Sequence, residues 1–265
     1  MKKTFSSKKS AFSLIELSIV LIIIGLLIAG ITGGASLIKS SELRSIMGEA
    51  RGYAVSVNSF FTQYDQYPGD ASTNVGSSSL YLGDRDSKIE FVNDHPTAAS
   101  VVAEGIDAWY DLKDIGAIDL SFTALTAAQY LSPISLVPVT HIPGSKIKGA
   151  GWVFDYNTST LQNVVVLTGT TKPYAAAAEK SMVNYGGTAA NILNNASTEI
   201  ISAPDGLSID SKIDDGKANT GNVQGIPQSF TAGAECFTDA DKSAYKVGNG
   251  AKKVCAMSFR VDVSS

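Results

Sequence analysis

The chain has 265 residues, a formal net charge of −4, and only 17% charged residues. An acid excess of this kind excludes a nucleic-acid-binding body, because phosphate contacts require clustered Lys and Arg. With 24 glycines and abundant Ser, Thr and Asn, the composition suits a secreted, loop-rich, partly β fold better than a cytosolic enzyme. In chain order, residues 1–11 come first and hold Lys2, Lys3, Lys8 and Lys9, a basic leader that keeps the N-terminus on the cytoplasmic side of a membrane. Residues 12–31 follow as an apolar run in which only Ser13, Glu16 and Ser18 are polar, long enough to span a bilayer core as a helix. Glu16 is the anomaly: a carboxylate at mid-membrane costs about 2.5–3.5 kcal/mol, less near the headgroups, and such a residue is a functional candidate by default.

At Ala11-Phe12-Ser13-Leu14-Ile15-Glu16-Leu17 the chain resembles the processing site of type IV prepilins and type II secretion pseudopilins. The resemblance implies that a prepilin peptidase in the membrane cuts between Ala11 and Phe12 and that the new Phe12 amino group is methylated. It also implies that the apolar helices of many copies bundle, with Glu16 meeting the Phe12 ammonium of a neighbour. The family usually has Gly before the cut, and Ala11 departs from that pattern. A buried carboxylate without its partner would penalise a wrong register, so the pairing is expected to set register during assembly. Two other readings of this stretch stay open: a plain anchor with a tolerated interfacial acid, and a secretory signal cut after Gly33-Gly34-Ala35, which would leave Ser36 first.

Beyond the membrane-core segment (12–35), an amphipathic spine is expected over 36–66. Leu43, Ile46, Met47, Ala50, Tyr53, Ala54, Val57, Phe60, Phe61 and Tyr64 recur at spacings of three and four, one apolar stripe of a 3.6-residue helix. Lys39, Glu42, Arg44, Glu49 and Arg51 supply its polar face, and Tyr67-Pro68-Gly69-Asp70 ends it as a turn. A helix over 12–64 would be about 80 Å long. Gly25, Gly30, Gly33 and Gly34 either permit close helix packing in the membrane or let the helix melt locally when the chain leaves the bilayer.

Residues 67–265 are expected to form an α+β head: a second helix over 97–117, strand-like runs at 151–156 and 162–167, and a last strand over 253–263 with one solvated face. This agrees with the pilin roll that the resemblance implies. The stretches 67–70, 142–151 and 210–216 further resemble a subset of large-headed pilin-like proteins, with no activity attached to them. Cys236 and Cys255 read as a disulfide if the head lies outside the cytoplasm, closing a loop of about 20 residues for about 3 kcal/mol, or else as two buried thiols. Asp210, Asp214, Asp215, Asn219 and Asn222 surround Gly216 and could either hold calcium or cap their own turn; Lys212 breaks the EF-hand pattern. A weaker acidic group is Asp84, Asp86 and Glu90.

No catalytic constellation is present. Residues 228–231 lack the glycines of a nucleophile elbow, and neither His95 nor His141 lies near a cysteine in sequence. The expected function is therefore non-enzymatic: a pilin or minor pilin of a type IV pilus-like filament. Such a subunit would sit single-pass in the bacterial inner membrane, head periplasmic, and its partners would be other copies, prepilin peptidase and the assembly platform. The richness of the head in Ser, Thr and Asn suits a surface-exposed subunit whose loops carry cell adhesion. Alternatives are a pseudopilin of type II secretion, a membrane-anchored binding module that never polymerises, and a membrane-tethered hydrolase.

Overall fold

The computed structural model describes residues 13–73, 75, 82–91, 104–119, 122–123, 125, 135–158, 160–170, 200–227, 236–238 and 243–262. Ala11, Phe12, His95, residues 97–103 at the start of the expected second helix, and 228–231 lie outside them. The chain forms two compact units, Met1–Glu42 and Leu43–Ser265. Helix α1 covers Leu14–Tyr64. Its first part, from Leu14 to Ile31, is exposed at every residue, with Leu14 at 85% and Leu26 at 70%. By length and composition it is apolar enough to cross a membrane.

In the second unit the stripe does what its period requires. Leu43, Ile46, Ala50, Tyr53, Val57 and Phe60 are buried on one side of α1, with Met47, Ala54, Phe61 and Tyr64 packed beside them. Ser56 falls on the same stripe and is tolerated because its hydroxyl donates to the Gly52 and Ala117 carbonyls at 3.0 and 3.2 Å. Helix α2 covers Glu104–Asp114. The strands are β1 (Gly151–Asn157), β2 (Gln162–Thr168), β3 (Ile201–Ser202), β4 (Val223–Pro227) and β5 (Lys253–Arg260), every pairing antiparallel. Between β3 and β4 lies helix α3, Ala203–Ile213. The head is thus α+β, a mixed fold behind a long N-terminal helix.

Alternation along the strands assigns each side chain to one of two cores. Trp152 and Phe154 of β1, Val165 and Leu167 of β2, and Met257 and Phe259 of β5 join the core that contains α1. Val153, Val164, Val166 and Ala256 point the other way, into a second core with Phe91, Ile106, Tyr110 and Leu136. β5 was expected to keep one face in water; instead all six residues between its ends are buried. The reason is that second core, supplied by residues far from β5 in sequence. Ser258, the polar member, keeps a long bond from its hydroxyl to the Gln224 carbonyl.

α3 corrects the reading of 210–216 as a loop: Asp210 is helical, and the turn begins at Asp214. Ser202 is the N-cap, accepting from the Asp205 N–H, and a proline stands in the first turn where no N–H is needed.

Candidate functional site

The start of α1 is a capping box. Ser13 Oγ accepts the Ile15 N–H at 3.3 Å, and Glu16 reaches back so that its Oε2 accepts the Ser13 N–H at 2.8 Å. The Ser18 hydroxyl donates to the Ile15 carbonyl, and the Thr32 hydroxyl to Ile28 and Ala29, so these polar side chains are satisfied inside their own helix. Glu16 is the only ionisable residue from Leu14 to Ile38. Its local partner is a single neutral N–H, which leaves acceptor capacity for a cation. The Ser-x-x-Glu spacing is the signal for this cap, and it is present in the sequence.

The head is fastened to the spine through Glu49. Its Oε2 accepts the Ser145 hydroxyl at 2.6 Å and the indole N–H of buried Trp152 at 2.8 Å, while Oε1 accepts the Lys146 N–H at 3.0 Å. One carboxylate on α1 thus holds the 142–151 turn and the start of β1. One turn further along α1, the Tyr53 ring sits edge-on to Trp109 at 4.9 Å and to Trp152 at 5.5 Å. Burial, and then the Glu49 charge, push the Tyr53 phenol up.

Tyr67-Pro68-Gly69-Asp70 is more than a turn. The Gly69 N–H donates to Asp111 at 2.7 Å, and a Cβ at Gly69 would stand 2.3 Å from the Glu104 carbonyl oxygen, so only glycine fits. Asp70 accepts the Arg85 and Ser87 N–H groups at 2.5 and 2.9 Å, and Glu104 accepts the Glu90 N–H at 3.2 Å. Carboxylate oxygens of Asp70, Asp84 and Glu104 lie within 4.8 Å of one another. Burial, opposed by the Ser87 and Arg85 N–H bonds and helped by the charges of Asp86 and Asp84, leaves Asp70 raised to about 7; burial, then the Asp70 charge, raise Glu104 to about 9. The expected trio of Asp84, Asp86 and Glu90 is divided: Asp84 joins this cluster, while Asp86 pairs with Lys88.

Of the five residues considered for calcium, the structure brings together the carboxylates of Asp210, Asp214 and Asp215. Each already serves the loop. Asp210 accepts the Gly216 N–H at 3.0 Å and the Tyr245 hydroxyl at 2.9 Å, and burial raises it to about 6. Asp214 accepts the Asn222 and Val223 N–H groups. Asp215 accepts the Lys217 N–H and the Thr220 hydroxyl, the latter the larger cause holding it below the usual carboxylate range. Asn222 thus faces Asp214 with a donor. Calcium takes six to eight oxygens; three carboxylates engaged in turn bonds fit a self-capped loop better than a preformed cage. Asp214→Ala is expected to lower head stability by about 1–3 kcal/mol, the cost of orphaning those amides. Denaturant unfolding with and without calcium checks this, and a loss seen only with calcium would overturn the turn-clamp role.

Cys236 and Cys255 form a disulfide with Cα atoms 5.3 Å apart, fastening residues 236–238 to β5. Replacing both with Ser is expected to cost about 3 kcal/mol by the loop-entropy model. A lower denaturant midpoint with reductant-insensitive unfolding would be the signature.

Residues 6–32 match the family model described as the prokaryotic N-terminal methylation motif. No curated protein and no solved structure matches the chain. The matched residues contain the Ala11-Phe12 junction and Glu16, and the long apolar helix runs on from them. The chain thus carries the N-terminal signal of type IV prepilins and pseudopilins at residues 6–32, at the head of a long apolar helix.

Proposed function

We propose that the chain is a structural subunit of a type IV pilus-like filament, with no enzymatic activity of its own. Prepilin peptidase cuts it before Phe12, the apolar helix holds it single-pass in the inner membrane with the head periplasmic, and an assembly platform extracts it into the filament. The observation that carries this reading is Glu16: one carboxylate in an otherwise uncharged apolar helix, inside the methylation motif. Its bond to the Ser13 N–H gives it a home in the lone subunit. In a bundle of such helices the ammonium of a neighbour's Phe12 is the stronger partner, and exchange of one for the other favours the correct axial register. The large head suits adhesion at its loops. Calcium binding at Asp210, Asp214 and Asp215 is a separable proposal, read by isothermal titration of the protein.

The test combines N-terminal sequencing with mass spectrometry of sheared surface filaments. The mature chain is expected to begin at N-methylated Phe12 and to occur in the sheared fraction. Glu16→Ala is expected to lower that fraction at least ten-fold while the membrane-bound amount is unchanged. A chain beginning at Ser36, or wild-type assembly of Glu16→Ala, would remove the basis of the proposal.

A further inference from the structure

Glu49, Gly52, Tyr53 and Ser56 recur at spacings of three and four, so they share one face of α1 in the head unit. That face floors an open groove of about 550 Å³, the size of a small-molecule site, which Ala117 and Ile118 also line. From Glu49 to Ser56 the floor is about 10 Å long. Its two ends differ chemically. The two carboxylate oxygens of Glu49 offer about four acceptor positions, and the Ser145 hydroxyl, Trp152 indole and Lys146 backbone N–H occupy three of them. All three donors are neutral, and no cation pairs with Glu49 among the described residues. One turn on, Tyr53 is 7% exposed, yet its hydroxyl makes no hydrogen bond among the described residues and its oxygen is not sealed from solvent. Burial first and the Glu49 charge second keep that phenol protonated, so its oxygen is free to accept. At the other end the Ser56 hydroxyl is turned onto the Gly52 and Ala117 carbonyls, and Val55 stands 68% exposed at the lip, so the groove there is apolar. Between the ends nothing lies within 4 Å of where a Gly52 Cβ would stand. The charged lining is two acids, Glu49 and Asp119, against one base, Arg51. Arg51 falls off the shared face, and it and Asp119 are both exposed, so the excess charge on the floor is that of Glu49.

We propose that this groove binds a primary alkylammonium ion, its head at Glu49 and Tyr53 and its aliphatic stem along Gly52 towards Val55 and Ile118. An ammonium carries three donors and no acceptor, which matches a carboxylate position and a phenol oxygen that are both unfilled. It brings charge to a carboxylate that only neutral donors hold, and charge-assisted bonds are the stronger kind. An amphiphile of the same length with a carboxylate head meets like charge at Glu49. A neutral alcohol gains the stem contacts without the ion pair. The proposal stands apart from the filament reading, which neither requires nor excludes a bound amine.

The experiment titrates the full chain in bilayer vesicles with n-butylammonium, using n-butanol and butyrate as neutral and anionic probes of the same stem. Saturable binding is expected for butylammonium, at least ten-fold weaker for butanol, and undetectable for butyrate. Gly52→Leu fills the floor from a position with open space around it and is expected to abolish saturable binding, leaving uptake by the bilayer as the baseline. Tyr53→Phe keeps the ring against Trp109 and Trp152 and removes only the oxygen; it is expected to weaken butylammonium at least ten-fold. No saturable binding to the unmodified chain, equal affinity for the three probes, or binding indifferent to either substitution overturns the site and leaves the filament reading standing.

Discussion

Glu49→Ala is expected to destabilise the head by about 3 kcal/mol, because it strands the indole N–H of buried Trp152 and removes the acceptor of two turn donors. The indole N–H of Trp152 loses its partner inside the core, and the Ser145 hydroxyl and Lys146 N–H lose theirs at the turn. Glu49→Gln is the informative control. It keeps the shape and one acceptor oxygen, so it should recover about half of the loss, with the remainder measuring charge assistance. Chemical unfolding of the two variants checks this, with tryptophan fluorescence as the probe since Trp109 and Trp152 are both buried in the folded head. Equal loss from both variants would mean that the charge, and not the geometry, does the fastening.

The second large effect is one of pH. Asp70 and Glu104 have folded values of about 7 and about 9 against ordinary values of 3.8 and 4.5. Between the ordinary and the raised value the unfolded chain has released its proton and the folded chain has not, so stability declines as pH rises. The decline starts near pH 4, is carried by Asp70 to about 7 and by Glu104 to about 9, and then levels off. Asp210 adds to it only up to about 6. From pH 5 to pH 8 the Glu104 contribution is at most about 4 kcal/mol, at 1.36 kcal/mol per pKa unit. Glu104→Gln, which cannot ionise but can still accept from the Glu90 N–H, should flatten that slope and be the more stable protein at pH 8. Unfolding midpoints of the two proteins across this range decide it. Parallel curves would show that Glu104 titrates in the folded head as it does in the unfolded chain.

How far the sequence could be read depended on the distance over which each interaction acts. The stripe from Leu43 to Phe60 obeys a local period, and burial follows it. The hairpin was legible because each strand is a self-contained run: Gly151–Asn157 and Gln162–Thr168 extend the expected strands by one residue. α3 was not read because Pro204 and Gly206 look like turn residues; its one local signal, Ser202 three before Asp205, is an N-cap pattern. β4 was hidden by Gly225 and Pro227, and Gly225 is there because a Cβ would press on the Tyr245 ring at 2.8 Å. That constraint comes from a residue twenty positions away and leaves no local trace. Glu49 looked like one more polar-face residue of a helix, since its partners stand about a hundred residues downstream. Asp70 and Glu104 were likewise out of reach: each alone is an ordinary acid, and only the fold presses them together.

The position of β5 in the sheet has a bearing on how the molecule is made. It pairs with β2, β3 and β4, and it is later in the chain than all of them. Synthesis proceeds from the amino end, so the apolar helix is complete while the sheet still lacks the strand that joins it. β1 and β2 can zip as a hairpin early, yet β3 and β4 have nothing to pair with until residues 253–260 emerge. Closure of the sheet therefore waits for its last strand and is dominated by contacts between distant parts of the chain. A chain ending before residue 253 would leave an open half-sheet with unpaired edges, the kind of surface that invites association with other strands.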